Sequence, residues 1–138
     1  MADHWRIMPE KSKPLIAIVD DDALFRRAVS RLVRIGGLDV RGFSSGEDFI
    51  AYVETAPSFE PACVVLDVQM RGLNGVQVLT HLRSMRPRLP VIFVSAAYEE
   101  RLRSQALAAG AAAFFEKPFN SDAFMRTLYA VLGIATPS

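Results

Sequence analysis

Beyond Pro14 the chain alternates between short continuous apolar runs and longer segments in which apolar residues recur every three or four positions. The short runs, "LIAIV" (15–19), "LDVRGF" (38–43), "ACVVLD" (62–67), "PVIFVS" (90–95) and "AAFFE" (112–116), predict strands. In 23–35, Phe25, Ala28, Val29, Leu32 and Val33 fall at helical spacing, with Arg26, Arg27, Arg31 and Arg34 taking much of the opposite, solvated side. Gly36 and Gly37 stop that helix. "SSGE" at 44–47 predicts a capping box for the second helix, with Ser44 at the cap and Glu47 three residues on. Further helices are predicted at about 75–86, 98–109 and 121–132, the fourth ended by Gly110.

Five strands alternating with five helices call for an α/β domain, a doubly wound parallel sheet covered on both faces. The first, third and fourth strands are near-continuously apolar, as doubly buried strands are. The second carries Asp39 and Arg41, which suits an edge. Right-handed crossovers then allow the flavodoxin-like strand order 2-1-3-4-5, in which the winding reverses between strands 1 and 3 and opens a crevice at their carboxyl ends.

Composition narrows the class. The 138 residues suffice for one domain, and 51 % hydrophobic against 22 % charged residues is globular composition. A net charge of +1 gives no reason to expect nucleic-acid or membrane binding. Cys63 stands alone among apolar neighbours and reads as a core residue, so no internal disulfide forms, which fits a reducing cytoplasm. Residues 1–14 form a polar tail without the apolar core of a signal peptide, and "ALAAGAAAFF" (106–115) is too short to span a bilayer. His81 reads as a helix-surface residue, and His4 and Trp5, in the tail, carry no assignment.

The chemistry gathers where the strands end. Strand 1 runs into Asp20, Asp21 and Asp22, strand 3 ends in Asp67, strand 4 in Ser95, and strand 5 is followed by Lys117. Converging carboxylates repel one another and raise each other's pKa unless a cation intervenes. An all-oxygen donor set with no His or Cys beside it suits Mg²⁺, or Mn²⁺, rather than zinc. Lys117 is one of only three lysines, the others being Lys11 and Lys13 of the tail, and it sits among aromatics in "FFEKPF". Pro118 disfavours helical geometry at Lys117 and permits a cis peptide that would aim the side chain at the crevice. A metal, an ammonium and a small hydroxyl around one carboxylate make a pocket for a phosphoryl group, with Asp67 as nucleophile. Asp22 reads instead as a helix-start residue.

These residues resemble the receiver domain of two-component response regulators. The resemblance rests on "IVDDD" (18–22), "VVLDVQM" (64–70), "GLNG" (72–75), "VIFVSA" (91–96) and "AGAAAFFEKPF" (109–119), and covers about residues 14 to 133. The phrasing "FSSGEDFI" and "FFEKPF" is most similar to the nitrogen-fixation-type branch, whose members often carry a C-terminal helix-turn-helix output domain. The resemblance implies a 1–14 tail, a receiver domain at 15–133 and a 134–138 tail. It implies that Asp67 is the phosphoacceptor, with Mg²⁺ held by Asp67, by Asp21 directly, by Asp20 through water and by the backbone carbonyl of Gln69. Ser95 would bond the phosphoryl oxygen, Lys117 would pair with it, and Phe114 would be the aromatic switch that moves inward with Ser95. The donor would be a sensor histidine kinase or a histidine phosphotransfer protein. The fourth helix, fifth strand and fifth helix would form the output surface, with phosphorylation-enhanced homodimerisation through it left open.

Three departures and two alternatives accompany that reading. Arg71 stands where the family normally has Pro, which removes a backbone restraint and adds a cation beside the pocket; Phe114 lacks a Tyr hydroxyl; and Ala97 offers nothing to orient an attacking water. A haloacid-dehalogenase-type phosphatase would need a second acid two residues after its nucleophile, where Gln69 stands, and a flavodoxin's FMN phosphate would meet three Asp residues. A stand-alone receiver and the receiver part of a longer DNA-binding transcription regulator both remain open.

Overall fold

The computed structural model describes residues 13–96 and 100–136. In chain order the elements are β1 (Leu15–Val19), α1 (Ala23–Ile35), β2 (Asp39–Phe43), α2 (Gly46–Thr55), β3 (Cys63–Asp67), α3 (Gly75–Met85), β4 (Val91–Ser95), α4 (Glu100–Ala108), β5 (Ala113–Glu116) and α5 (Ser121–Leu132). All strand pairs are parallel, and the sheet order is β2-β1-β3-β4-β5, as the alternation of elements predicts.

The pleat divides the core into two layers. Ile16 and Ile18 of β1, Cys63 and Val65 of β3, and Ile92 and Val94 of β4 pack with Val29 and Val33 of α1 and Phe124 and Leu128 of α5. The alternate positions Ala17, Val19, Val64, Leu66, Val91 and Phe93 pack with Phe49 and Val53 of α2, Val78 and Leu82 of α3 and Ala106 of α4. Because both faces are covered, β3 and β4 are buried along their whole length, and the expected edge position of β2 shows in its exposed Arg41 and Gly42. Cys63 is fully buried and its thiol is pushed up to about 12 by that burial, which leaves it an inert core residue. His81 is exposed on α3.

Helix starts follow local hydrogen-bond chemistry, with one correction. The cap of α2 is Ser45, not Ser44: Ser45 is extended and its Oγ accepts the Asp48 N–H at 3.0 Å. That one-residue shift puts Asp48 at the third helical position and releases Glu47 from any capping box. A reciprocal capping box does occur at α3, between Asn74 and Gln77, with both bonds at 2.9 Å. The positive φ of 88° at Gly37, just past α1, is a backbone conformation that favours glycine there. The expected beginning of the fourth helix and Ala97 lie outside the described residues, as do His4 and Trp5.

Candidate functional site at the carboxyl ends of the strands

The sheet register brings the strand ends level. Val19 lies beside Leu66, Asp67 beside Val94, and Ser95 beside Glu116, so the next residues of β1 and β5 emerge at one edge. Asp20 and Asp67 continue the pleat positions of Ile18 and Val65, which places both carboxylates on the α1 and α5 side. They are 1 % and 4 % exposed, a degree of burial that ionised groups tolerate only with charge compensation.

Lys117 supplies part of it. The Lys117–Pro118 peptide is cis, and the Lys117 ammonium donates to Asp20 Oδ2 at 2.7 Å and lies 3.8 Å from Asp67 Oδ2. Asp20, Asp21 and Asp67 each offer one oxygen, and these oxygens lie within 4.8 Å of one another. Three carboxylates and one ammonium leave a surplus of negative charge. Burial first, then the charge of Asp20, pushes Asp67 from 3.8 up to about 7, against the opposing pull of Lys117 and the Gln69 N–H. The donor set is all oxygen, partly charged and open to water on the Asp21 side, which fits a hard divalent cation such as Mg²⁺.

The remaining expected residues fall around this cluster. The Gln69 N–H donates to Asp67 Oδ1 at 3.4 Å. Ser95 is fully buried at the end of β4, and its carbonyl accepts the Lys117 N–H at 2.7 Å. Phe114 is half-buried beside Phe93 and packs against the layer formed with α2, α3 and α4. Asp22 does something different from its two neighbours: its Oδ1 caps α1, accepting from the N–H groups of Leu24 at 3.0 Å and Phe25 at 3.2 Å.

Three residues of the site were not legible in the sequence. Arg26, expected on a solvated face, is half-buried and donates through Nη1 to the Asp20 carbonyl at 2.6 Å, fixing the end of β1. Glu47 reaches from α2 to accept the Leu73 N–H at 3.2 Å, tying down the loop that follows Asp67. Phe25 places its ring against the Lys117 ammonium. Arg71 also behaves unlike the proline it replaces. Its N–H, which a proline would lack, donates to Asp21 Oδ2 at 3.2 Å, while its almost fully exposed guanidinium sits 4.0 Å from the same oxygen. Beside it a cleft of about 1000 Å³ opens between α3 and α4, lined in part by Asp21, Gln69, Arg71, Gln77 and Gln105. Among the described residues no helix is long and apolar enough to cross a membrane.

The chain matches the response regulator receiver domain family over residues 16–129. It is 35 % identical over 121 residues to the response regulator protein TodT of Pseudomonas putida, covering 88 % of this chain and 52 % of TodT. To the transcriptional regulatory protein FixJ of Bradyrhizobium diazoefficiens it is 29 % identical over 127 residues, covering 92 % of this chain and 60 % of FixJ. The chain thus spans between half and three-fifths of these two relatives. The crystal structure of a response regulator receiver protein from Burkholderia phymatum superposes with a TM-score of 0.83 at 46 % identity, covering 91 % of this chain and all of that one. With the strand order, the carboxylate cluster and these likenesses in agreement, the chain belongs to the response regulator receiver domain family of two-component systems.

Proposed function

We propose that residues 15–133 form a cytoplasmic phosphoacceptor module in which Asp67 takes a phosphoryl group from a phosphohistidine on a sensor histidine kinase or histidine phosphotransfer protein. The observation that carries this reading is the setting of Asp67: a buried carboxylate with Lys117 Nζ at 3.8 Å and the oxygens of Asp20 and Asp21 within 4.8 Å. An Asp67 oxygen attacks phosphorus, the P–N bond breaks, and its electron pair returns to the imidazole, leaving an acyl phosphate. Lys117 neutralises a transferring phosphoryl oxygen, and the Ser95 hydroxyl bonds another once the acyl phosphate has formed. Asp21 and Asp67 directly, Asp20 through water and the Gln69 carbonyl would hold Mg²⁺, or Mn²⁺, which when bound offsets the carboxylate repulsion and the charge on the phosphoryl oxygens. Water later attacks phosphorus, releasing inorganic phosphate and restoring the Asp67 carboxylate. The module therefore acts as a signalling switch whose only chemistry is its own phosphorylation and dephosphorylation.

The proposed output surface is α4-β5-α5, biased by coupled movement of Ser95 and Phe114 and used for phosphorylation-enhanced homodimerisation. That curated relatives such as FixJ are named transcriptional regulatory proteins and extend well beyond the matched region supports a second reading at the level of the whole protein, in which this module governs a DNA-binding partner domain. Incubation with acetyl phosphate and Mg²⁺, followed by intact-mass measurement, should show one added phosphoryl group that Asp67→Asn abolishes. No adduct, or an adduct that survives in Asp67→Asn, overturns the assignment.

A further inference from the structure

Carboxylates are not the only groups that Lys117 meets. Its Nζ lies 3.9 Å from the centroid of the Phe25 ring, while the same atom faces Asp20 Oδ2 at 2.7 Å and Asp67 Oδ2 at 3.8 Å. The Lys117 side chain is 14 % exposed, so the ring takes a side of the ammonium where water would otherwise sit. An aromatic face attracts a cation through its quadrupole but takes no hydrogen bond of carboxylate strength. It therefore desolvates the ammonium without drawing its N–H groups away from the carboxylates.

The ring is itself held in place. The Phe25 N–H is bonded to the Asp22 cap at the start of α1. Its ring meets Phe119 edge-on at 5.8 Å, and Phe119 stacks on Phe124 at 4.7 Å and 20°. Phe124 is fully buried, and Phe115 packs against both. A continuous aromatic ladder thus runs from the α5 core to the ammonium, passing through the segment that follows Lys117.

We propose that Phe25 is a positioning residue whose ring face holds the Lys117 ammonium at the Asp20–Asp67 carboxylates, ready for an incoming phosphoryl oxygen. The inference rests on the phosphoacceptor reading and adds to it a residue that touches neither metal nor phosphoryl group. Phe25→Leu keeps apolar bulk and removes the quadrupole, whereas Phe25→Tyr keeps the ring.

The test measures beryllofluoride affinity at saturating Mg²⁺, and Mg²⁺ affinity alone, in the full chain and both variants by calorimetry. In metal-free samples the Lys117 ε-methylene proton shifts are read by NMR. Phe25→Leu should weaken beryllofluoride binding by roughly three- to tenfold while Mg²⁺ affinity stays within about twofold, and Phe25→Tyr should restore it. The ε-methylene protons should move downfield in Phe25→Leu as the ring current is lost, and stay in place in Phe25→Tyr. Unchanged beryllofluoride affinity in Phe25→Leu overturns the inference, as does an equal loss of Mg²⁺ affinity, which marks a general collapse of the site. Failure of the wild-type protein to bind beryllofluoride sinks the phosphoacceptor reading and this role with it, whereas binding by wild type with no effect of Phe25→Leu sinks the role alone.

Discussion

Asp67→Asn should make the metal-free protein more stable at alkaline pH, although it removes the proposed acceptor. The buried carboxylate is pushed from 3.8 up to about 7, chiefly by burial and then by the charge of Asp20. Between those values the folded chain holds a proton that the unfolded chain has shed, so folding stability falls as pH rises through the window. Above about pH 7 the full penalty applies. At about 1.36 kcal/mol per pKa unit, a rise of roughly three gives a ceiling of about 4 kcal/mol, and water at the open Asp21 side brings the expected cost to about 2–4 kcal/mol. Asn matches the carboxylate in size, can still accept the Gln69 N–H at Oδ1, and carries no charge to bury. Urea unfolding in EDTA, followed by circular dichroism, should show a gain of that size at pH 8 that shrinks steadily towards pH 4. Millimolar Mg²⁺ should then stabilise the wild type and leave Asp67→Asn nearly unaffected, because binding to the folded state alone adds stability by mass action. The reasoning is refuted if Asp67→Asn is no more stable than wild type at pH 8, or if its advantage persists undiminished at pH 4.

Asp22→Ala should cost about 1 kcal/mol in urea unfolding by freeing the Leu24 and Phe25 N–H groups, while phosphoryl uptake from acetyl phosphate stays within about twofold of wild type. Gly75→Ala should do the reverse of a benign helix substitution. Its Cβ would lie 2.5 Å from the Asp67 carbonyl oxygen and 2.8 Å from Phe93 Cε1, so the strand end must move. The expected losses are roughly 1–3 kcal/mol in unfolding and a marked drop in the rate of mass-detected phosphorylation.

How far the site could be read beforehand follows from the range of the interactions that build it. Asp20, Asp21, Asp67, Ser95 and Lys117 occupy strand ends, and a parallel sheet places strand ends together whatever the details of side-chain packing. The division of labour within "DDD" was legible for a different reason. Asp22 directly precedes a helix, and its bonds to the N–H groups two and three residues on are local. The α2 cap was misread by one residue because "SS" offers two adjacent hydroxyls, and the chain uses the one that leaves Glu47 free for Leu73.

What stayed hidden depends on how helices sit against the sheet. Phe25 and Arg26 are adjacent in α1, and helical periodicity assigned one to the apolar face and the other to solvent. Both instead reach the site from the first turn, Phe25 to Lys117 and Arg26 to the Asp20 carbonyl. Their targets are 92 and 6 residues away in sequence, so even the local contact of Arg26 depended on a strand-to-helix geometry that periodicity does not encode. Arg71 sharpens the point. Judged as a missing proline it is a lost restraint, yet the N–H that proline lacks bonds to Asp21. With the Leu73 N–H held by Glu47, the loop after Asp67 is tethered at two amides, one to β1's acidic end and one to α2. A residue's effect on loop order is set by where its donors find partners, and that is a property of the folded surroundings rather than of the residue type.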